Sequence, residues 1–358
     1  MLYDFITIWA WASGLFANIN LPKKASKLLL EKNKILWVKV LMSWWERANF
    51  TNLNVAPEKY VSENFKAVIG FLNRFTQYDI INFFESHNVY SKIEDNWRVI
   101  TASGHARDIV KVLVQQAKLN NTKIMSNCEV QDVKYKSWIY EVFTNCWNFQ
   151  AKNIIVAVGG KSYPQVGTDG FGFELAKKFG LKVNMPYKGL VWMVTKENLA
   201  DFSGTTIKAG VSLFENQKEV FYEEWNLLFT HWWVSGPTIY NAVLYGKYLD
   251  SQPAEYKLKI KFLCEDEKVL ATKKLRKFFK LDCENSEIIL QPNGLKSWKE
   301  AKVTAGGVDT NELTKFLESK KFPGLFFIWE VVDITGHTGG YNLQWAWSSA
   351  FCMSEKFS

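Results

Sequence analysis

The apolar residues near the start of the chain fall in short continuous runs rather than in alternation. The run Tyr3–Ala10 is apolar and β-branched, which is typical of a strand buried on both faces of a parallel sheet. A short helical pattern follows at Ala12–Asn20, and a second apolar run occupies Lys27–Glu31. A strand, a helix and a second strand within about 30 residues predict a βαβ unit.

Helical and extended patterns then follow one another. Between Asn49 and Asn88 aromatic and aliphatic side chains recur every three or four residues, which predicts mostly helix. A second amphipathic helix is predicted at Ser103–Leu119. Alternation over Lys123–Phe149 predicts strands joined by tight turns, and the run Asn153–Val158 predicts another buried strand.

The pattern changes again after Pro186, where extended segments become longer, alternating and rich in Thr and Lys, as in Thr205–Leu213 and Tyr256–Phe262. We therefore expect a mainly β domain inserted at residues 187–321. The strand Leu325–Ile328 returns the chain to the first domain, so that residues 1–186 and 322–358 form one α/β unit.

Composition agrees with a soluble two-domain protein. The chain has 358 residues, of which 47% are hydrophobic and 22% charged, as in globular proteins with a large buried core. The apolar stretch Phe5–Ile19 lacks a basic leader, carries Asp4 at its edge and is shorter than the ~20 residues that span a bilayer. We expect no membrane segment and a cytoplasmic location.

The net charge of +8 raises the question of an anionic partner. The densest basic run, between Lys273 and Lys280, has helical spacing and indicates a solvated helix face first and a nucleic-acid docking patch only second. We therefore expect a small-molecule substrate rather than nucleic acid, and the sequence leaves the oligomeric state open. The five cysteines lack CxxC pairs and nearby histidines, so neither a metal site nor a disulfide framework is predicted; they are Cys128, Cys146, Cys264, Cys283 and Cys352.

The first βαβ unit has the layout of a dinucleotide fingerprint. Glycines in the turn admit a pyrophosphate to the helix N-terminus, and an acid after the second strand holds a ribose hydroxyl. Here the turn runs Trp9-Ala10-Trp11-Ala12-Ser13-Gly14, and Glu31 follows the second strand. Two of the three glycines are missing, so a buried βαβ unit without a ligand is the alternative.

Three further Gly-rich turns are predicted at the carboxyl ends of apolar strands, where open α/β sheets place their ligands. They are Gly159–Pro164, Ala305–Val308 and Gly336–Gln344. Three such turns on one side of one sheet indicate a ligand site.

Long motifs in these turns resemble one bacterial family. The segments VTAGGV, FPGLFFIxEVVDITGHTGGYNLQWAW, AVGGKSYPQVGTDGFG, RxNFTNLN and LLFTHWxVSGP are similar to those of the HI0933-like flavoproteins, also called the BaiN-like or aminoacetone oxidase-like family. The resemblance covers nearly the whole chain. It implies an α/β, FAD-binding Rossmann-like core of the glutathione reductase type, an inserted mainly β domain, and an NAD(P)/FAD-dependent oxidoreductase.

The resemblance also implies a set of FAD contacts. Trp9, Trp11, Ser13 and Gly14 would surround the pyrophosphate, and Glu31 would hold the adenosine ribose. The other implied cofactor residues are Lys39, Ser43, Arg47, Asn49, Val130, Gly159, Gly160, Glu330, Asp333, Gly340, Tyr341, Asn342 and Leu343. The inserted domain is shortened relative to the family between Leu263 and Lys302.

The departures from the family share one residue type. The family has glycine where this chain has Trp9, Trp11, Trp37, Trp44, Trp45, Trp97, Trp233 and Trp329, whereas Trp345 and Trp347 match the motif. Some bacterial lineages read the UGA codon as glycine and others read it as tryptophan. We therefore hypothesise that many of the 16 tryptophans are native glycines. The codons at Trp9, Trp11 and Trp329 test this, because UGG codons there exclude it.

The expected chemistry is hydride transfer through flavin N5 to or from a substrate that the sequence leaves open. NAD(P)H is expected only as a transient reductant, because the segment Gly167–Gly172 is read as a turn and helix start rather than a second fingerprint. His231 and His337 are candidate acid/base residues, because imidazole titrates near neutral pH and each lies in a motif expected to face the cleft. The alternative for either is a histidine that is merely hydrogen-bonded within its loop. Tyr341 is a further candidate catalytic residue, and Tyr163 and Tyr341 could equally orient the substrate. If the tryptophans are native, a non-catalytic nucleotide- or partner-binding protein is the alternative.

Overall fold

The chain folds into two compact units. The structure, a computed structural model, describes residues 1–35, 49–251, 255–262, 277–278 and 287–358. Unit 1 comprises Met1–Pro186 and Thr304–Ser358, and unit 2 comprises Tyr187–Val303. The chain returns to unit 1 at Thr304 rather than at residue 322, because Val308, Leu313 and Leu317 lie in the hydrophobic core of unit 1.

Several residues named above lie outside the described part of the chain. Lys39, Ser43 and Arg47 are among them, as are most of the basic run between Lys273 and Lys280. The same holds for Trp37, Trp44, Trp45, Cys264 and Cys283.

Unit 1 is built on a mixed seven-stranded sheet. The strands are β1 (Leu2–Ile8), β2 (Lys27–Leu30), β7 (Thr122–Met125), β8 (Val130–Lys136), β9 (Ile139–Thr144), β10 (Phe149–Val156) and β20 (Leu325–Phe327). Their order is β7-β2-β1-β10-β9-β8, and β20 also pairs with β10. Neighbours β7, β2, β1, β10 and β20 run parallel, whereas β9 and β8 are antiparallel additions. The carboxyl ends of the parallel strands therefore meet at one edge.

Helices and two small sheets complete unit 1. The helices are α1 (Ala12–Asn20), α2 (Phe65–Leu72), α3 (Gln77–Glu85), α4 (Ala106–Leu119), α5 (Phe171–Lys178) and, at the C-terminus, α7 (Tyr341–Ser354). The small sheets join β3 (Asn49–Asn52), β5 (Ser91–Ile93) and β6 (Arg98–Thr101), and β4 (Tyr60–Val61) with β21 (Thr335–Gly336). Helix α7 packs against α1 and β3, so the last helix covers the first βαβ unit.

Unit 2 is mainly β. Its strands form one antiparallel sheet of the order β17-β16-β13-β14-β15-β12-β18, and helix α6 (Pro237–Leu244) packs on β13 and β14. The strands are β12 (Met193–Thr195), β13 (Thr206–Glu215), β14 (Lys218–Phe229), β15 (Trp233–Ser235), β16 (Tyr256–Phe262), β17 (Glu287–Leu290) and β18 (Pro292–Leu295). The chain enters and leaves this unit through β11 (Val183–Gly189) and β19 (Val303–Val308), which pair with each other.

The predicted fold class, an α/β Rossmann-type core with a mainly β insertion, is confirmed. The prediction for Asn49–Asn88 was wrong in part, because Asn49–Asn52 is a strand and the helices cover only Phe65–Leu72 and Gln77–Glu85. No helix among the described residues is both long enough and apolar enough to cross a membrane.

Asp4 joins three strands at the amino-terminal edge of the main sheet. Its carboxylate accepts hydrogen bonds from the backbone N–H and the hydroxyl of Ser26 at 2.9 and 2.8 Å, and Lys152 Nζ lies 2.8 Å from it. The Lys152 hydrogen bond, followed by those from Ser26, lowers the pKa of Asp4 to about 2. A carboxyl whose pKa is lower in the folded than in the unfolded state stabilises the fold above the unfolded pKa.

The Asp4 contribution is therefore expected to be lost as the pH falls from about 4 to about 2. We expect Asp4→Asn to lower the urea midpoint at pH 7 and to converge with the unsubstituted protein near pH 2. Urea unfolding at a series of pH values measures this. The exposed Glu58, changed to Gln, is the control. A midpoint difference for Asp4→Asn that does not change with pH would contradict the assignment.

Candidate functional site

The turn after β1 has the backbone geometry of a dinucleotide fingerprint. Trp9 N donates to Leu30 O at 2.7 Å, which joins the turn to β2. A Cβ at Gly14 would lie 2.2 Å from Trp9 O, so only glycine allows α1 to approach the turn this closely. Asn18 strengthens the same approach, because its side-chain amide donates to Gly14 O and Thr7 Oγ1, both at 2.8 Å.

Glu31 is placed where the fingerprint requires an acid. It follows β2 and is fully buried, and its carboxylate accepts hydrogen bonds from Ala10 N at 3.1 Å and from Asn33 N and Nδ2 at 2.9 Å. Burial raises the pKa of Glu31, although these hydrogen bonds oppose the shift. A carboxylate offers about four lone-pair sites, so one acceptor position remains for a ribose hydroxyl.

Three tryptophan rings fill the space beside this turn. We call Trp9, Trp11 and Trp329 the indole cluster. The ring centroids of Trp9 and Trp11 are 4.9 Å apart, and those of Trp11 and Trp329 are 5.2 Å apart. All three residues are buried. Lys32 Nζ lies 4.6 Å from the centre of the Trp9 ring, where a cation is attracted to the ring face.

The indole cluster lies at the carboxyl ends of the parallel strands. Trp9 follows β1, Trp329 follows β20, and Gly159 follows β10. A Cβ at Gly159 would lie 3.0 Å from Trp11 Cζ3 and 3.3 Å from Trp329 Cζ3. The rings therefore occupy the region in which an open α/β sheet binds its ligand.

Two buried polar side chains near this region have no hydrogen-bond partner among the described residues. One is the hydroxyl of Ser13, in the first turn of α1, and the other is the amide of Asn49, at the start of β3. The position of a Cβ on Gly340 would be 2.7 Å from Asn49 Oδ1, so this amide lies beside the start of α7. Buried polar groups are normally paired, and these two fit a polar ligand.

FAD is the ligand that the sequence predicts, and its fit to these residues is mixed. Ser13, Asn49, Glu31 and the first backbone N–H groups of α1 are suitable polar partners for its ribose and phosphates. The volume is not suitable, because buried indole rings stand where the fingerprint has two glycines. The residues present therefore do not fit FAD while all three positions of the indole cluster are tryptophan.

Glu330 is directed at protein donors. Its Oε1 atom accepts hydrogen bonds from Ser162 Oγ at 2.8 Å and from Thr304 N at 2.9 Å. Thr304 Oγ1 in turn accepts from Lys161 N and Ser162 N at 2.7 and 3.1 Å. A Cβ at Gly160 would lie 2.2 Å from Thr304 Oγ1. We call Glu330, Thr304 and Ser162 the Glu330 network, which fixes the turn after β10.

Sequence reasoning named Glu330 but missed Thr304 and Ser162. Asp333 has a similar role, since its Oδ2 atom accepts hydrogen bonds from Asn184 Nδ2 at 2.7 Å and Glu63 N at 3.2 Å. Burial raises the pKa of Asp333. The only sequence signal for Thr304 is a polar residue in the apolar segment VTAGGV.

The Gly-rich turn before α7 is closed by its own side chains. The amide of Asn342 accepts from Gly336 N at 2.9 Å and donates to Gly336 O at 2.7 Å. Gly340 has φ 102°, and a Cβ on it would lie 2.3 Å from Thr51 O. Inside α7, the buried Gln344 accepts a hydrogen bond from Thr51 Oγ1 at 2.6 Å. The start of α7 is thus fixed against β3.

The candidate acid/base residues lie in different surroundings. Burial lowers the pKa of His337 to about 3, with a smaller effect of Lys59, so its imidazole is neutral at physiological pH. His231 is exposed in unit 2, with Nδ1 3.4 Å from Ser203 Oγ. Tyr341 is buried at the start of α7, where its backbone oxygen accepts from Tyr60 Oη at 2.9 Å. Of the three, Tyr341 alone combines a position in the first turn of α7 with a hydroxyl that can donate a proton.

Two further implied cofactor residues have clear positions. Val130 begins β8, close to Glu31, whose backbone oxygen accepts from Cys128 N at 2.9 Å. Leu343 is partly buried in α7. Both therefore belong to unit 1, as does the turn from Trp9 to Gly14.

Comparison with known proteins places this geometry in a family. The model of the HI0933-like protein Rossmann domain matches residues 3–356. A ribosomal RNA dihydrouridine synthase of Escherichia coli strain K12 is 31% identical over 99% of this chain and 97% of its own length. A 3-dehydro-bile acid delta(4,6)-reductase of Clostridium scindens is 23% identical over 95% of each chain.

A solved structure shows the same fold. The 3-ketosteroid-delta4-(5alpha)-dehydrogenase of Rhodococcus jostii RHA1 superposes with a TM-score of 0.53 at 11% identity, covering 99% of this chain and 97% of that chain. The chain therefore belongs to the HI0933-like protein Rossmann domain family.

Proposed function

We propose that this protein is an FAD-dependent reductase that adds hydrogen across a carbon–carbon double bond conjugated to a carbonyl group. We further propose that the substrate is a uracil base of ribosomal RNA. The observation that carries the proposal is the 31% identity, over nearly the full length of both chains, to a ribosomal RNA dihydrouridine synthase.

The reaction class has a second source of support. The relative named as a 3-dehydro-bile acid delta(4,6)-reductase also reduces carbon–carbon double bonds, according to its name. In uracil the C5=C6 bond is conjugated to the C4 carbonyl, so both names describe hydrogen added to a polarised double bond. The shared feature is the type of bond reduced, although the two substrates differ greatly in size.

The residues of this chain have distinct parts in such a reaction. Glu31, Ser13 and Asn49 supply polar contacts for a dinucleotide, whereas the Glu330 network and Gly340 hold the surrounding turns. Reduction of uracil also requires a proton at C5, and the candidate donor is the hydroxyl of Tyr341 at the start of α7. NAD(P)H is proposed as the transient reductant, since residues 167–172 form a turn and the start of α5 rather than a second dinucleotide fingerprint.

Ribosomal RNA as a partner differs from the expectation drawn from the sequence. The net charge of +8 is compatible with it, because basic proteins gain affinity for RNA by releasing counterions from phosphates. Binding to ribosomal RNA is then expected to weaken steeply as the salt concentration rises. The basic run between Lys273 and Lys280 lies mostly outside the described residues and carries no part of this proposal.

The test measures dihydrouridine directly. The substrate is ribosomal RNA from an Escherichia coli strain that lacks its own ribosomal RNA dihydrouridine synthase. The RNA is incubated with NADPH and with either the chain as written or Trp9→Gly/Trp11→Gly/Trp329→Gly. Mass spectrometry of the digested nucleosides is expected to show new dihydrouridine with the flavin-containing protein. If the flavin-containing protein leaves this RNA unchanged but reduces a 4-ene-3-ketosteroid, the proposal of an RNA substrate is wrong.

A second candidate function follows from the indole cluster. If Trp9, Trp11 and Trp329 are native, their rings exclude the cofactor, and the protein is a non-catalytic nucleotide- or partner-binding member of the family. The protein isolated from its own organism would then be colourless and inactive in the dihydrouridine assay. Flavin absorbance in that preparation would exclude this second function.

A further inference from the structure

Two residues of the indole cluster have a backbone conformation that favours glycine. Trp9 has φ 81° and Trp329 has φ 67°. Bulky residues rarely adopt positive φ, because Cβ then approaches the backbone, whereas glycine adopts it freely. Trp11 has an ordinary φ of −91°, and an added Cβ at Gly159 would lie 3.0 Å from its Cζ3 atom. The backbone conformation thus conflicts with the residue type at Trp9 and Trp329, whereas the Trp11 ring fills the space beside Gly159.

Two tryptophans outside the indole cluster have the same property. Trp138 follows Ser137 in the two-residue turn between β8 and β9, with φ 67° after φ 50°. Trp97 follows Asn96, with φ 62° after φ 60°. A turn with two successive positive φ values strongly prefers glycine at its second position, as in Asn-Gly. Both rings are exposed, Trp138 to 78%, so burial of apolar surface gives no reason for tryptophan there.

Other tryptophans lie in surroundings that suit an indole. Trp345 and Trp347 are buried in α7, and their Nε1 atoms donate to Trp329 O at 3.1 Å and to Phe50 O at 2.8 Å. Their backbone is helical. The described tryptophans therefore include a group whose backbone conformation favours glycine. Another group, Trp345 and Trp347, fills the core and donates hydrogen bonds.

We infer that the functional protein carries glycine at positions 9, 11 and 329, and that tryptophan is native at positions 345 and 347. Glycine at the first three positions removes the indole cluster, while Ser13 and Asn49 remain buried polar groups without a hydrogen-bond partner among the described residues. The same inference assigns glycine to positions 97 and 138. It rests on the FAD part of the proposed function and is independent of the ribosomal RNA part.

The backbone of the turns does not depend on the three indoles. Trp9 N is bonded to Leu30 O at 2.7 Å, and Trp329 N to Ser349 Oγ at 3.0 Å. Trp329 O is held by the Trp345 indole. Because these bonds use main-chain atoms at positions 9 and 329, glycine would preserve them. The cofactor volume can therefore open without loss of the turns that shape it.

The first test reads the residues in the protein made by its own organism. Trypsin cleaves after Lys321 and Lys356, and the peptide between them contains positions 329, 345 and 347. Fragment-ion mass spectrometry is expected to show glycine at 329 and tryptophan at 345 and 347 in the same peptide. The peptide Met1–Lys23 reports positions 9 and 11 in the same way. Tryptophan at 9, 11 or 329 would overturn the inference.

The second test measures cofactor binding by recombinant protein made from synthetic genes. Trp9→Gly/Trp11→Gly/Trp329→Gly is expected to purify with stoichiometric FAD, seen as flavin absorbance, whereas the chain as written is expected to be colourless. The matched control, Trp345→Gly, should lower the urea midpoint, while the triple variant should keep or raise it. Equal flavin content in the first two proteins would overturn the inference. If the triple variant fails to fold, the peptide masses still decide. Neither test measures dihydrouridine, so a failure of the ribosomal RNA proposal would not affect the outcome of either.

Discussion

Replacement of Gly340 by alanine is expected to lower the free energy of unfolding by roughly 4 kcal/mol. Gly340 has φ 102°, a conformation that costs a residue with a side chain about 1–3 kcal/mol. The new Cβ would also lie 2.3 Å from Thr51 O and 2.7 Å from Asn49 Oδ1. Overpacking of this kind costs about 1–3 kcal/mol, or more where the neighbour is backbone.

Urea unfolding measures the Gly340 effect, and Gly70→Ala is the matched control. Gly70 is exposed in α2, and a Cβ there would meet no atom within 4 Å. Alanine at an open helical position is expected to stabilise by about 0.5–1 kcal/mol. The two substitutions add the same methyl group. Changes of opposite sign in the free energy of unfolding would therefore show that the effect at Gly340 comes from its backbone conformation and its contact with β3. Equal midpoints for the two variants would contradict the described start of α7.

Loss of the Glu330 side chain is the second large expected effect. Glu330→Ala removes the acceptor for Thr304 N and Ser162 Oγ, both of which are buried. Loss of a hydrogen bond by a buried donor costs about 1–3 kcal/mol, so loss of both is expected to lower the free energy of unfolding by roughly 4 kcal/mol. Glu330→Gln keeps an acceptor oxygen with two lone pairs, and we expect it to cost less than half as much.

The same two variants distinguish a structural role of Glu330 from contact with a ligand. If the Glu330 network only holds the turn after β10, urea midpoints should fall in the order unsubstituted, Glu330→Gln, Glu330→Ala. Flavin retention, measured in the glycine-containing background, should follow that order. A stable Glu330→Ala protein that loses its flavin would instead place the carboxylate in contact with the cofactor.

The parts of the fold that the sequence predicted are those determined by local burial. The helix Ala12–Asn20 and the strands on either side of it agree with the prediction closely, because a strand buried on both faces must be apolar at every position. The places of Glu31 after β2 and of Gly14 in α1 were predicted for a related reason, because both follow from the spacing within one βαβ unit. Contact of either residue with a cofactor stays a prediction.

The missed parts depend on distant contacts. The strand Asn49–Asn52 has three polar residues in four, and it is a strand because it pairs with β6 and packs under α7. In the Glu330 network, Thr304 is 26 residues from Glu330, and Ser162 is 142 residues from Thr304. A periodic pattern carries no record of such pairs. The return to unit 1 was placed too late for the same reason, since Val308 joins that core through contacts with residues distant in the sequence, among them the hydrogen bond from Asp333 N.

The division of unit 1 into two chain segments determines when it can form during synthesis. Strand β10 receives its neighbour β20, and helix α1 receives its cover α7, only from residues 304–358. Domains fold as units and in order of their emergence from the ribosome. The mainly β unit, encoded between the two segments, is therefore complete while the first βαβ unit is still uncovered. The apolar surface of α1 therefore stays exposed to water, or is covered by a chaperone, until α7 has been translated.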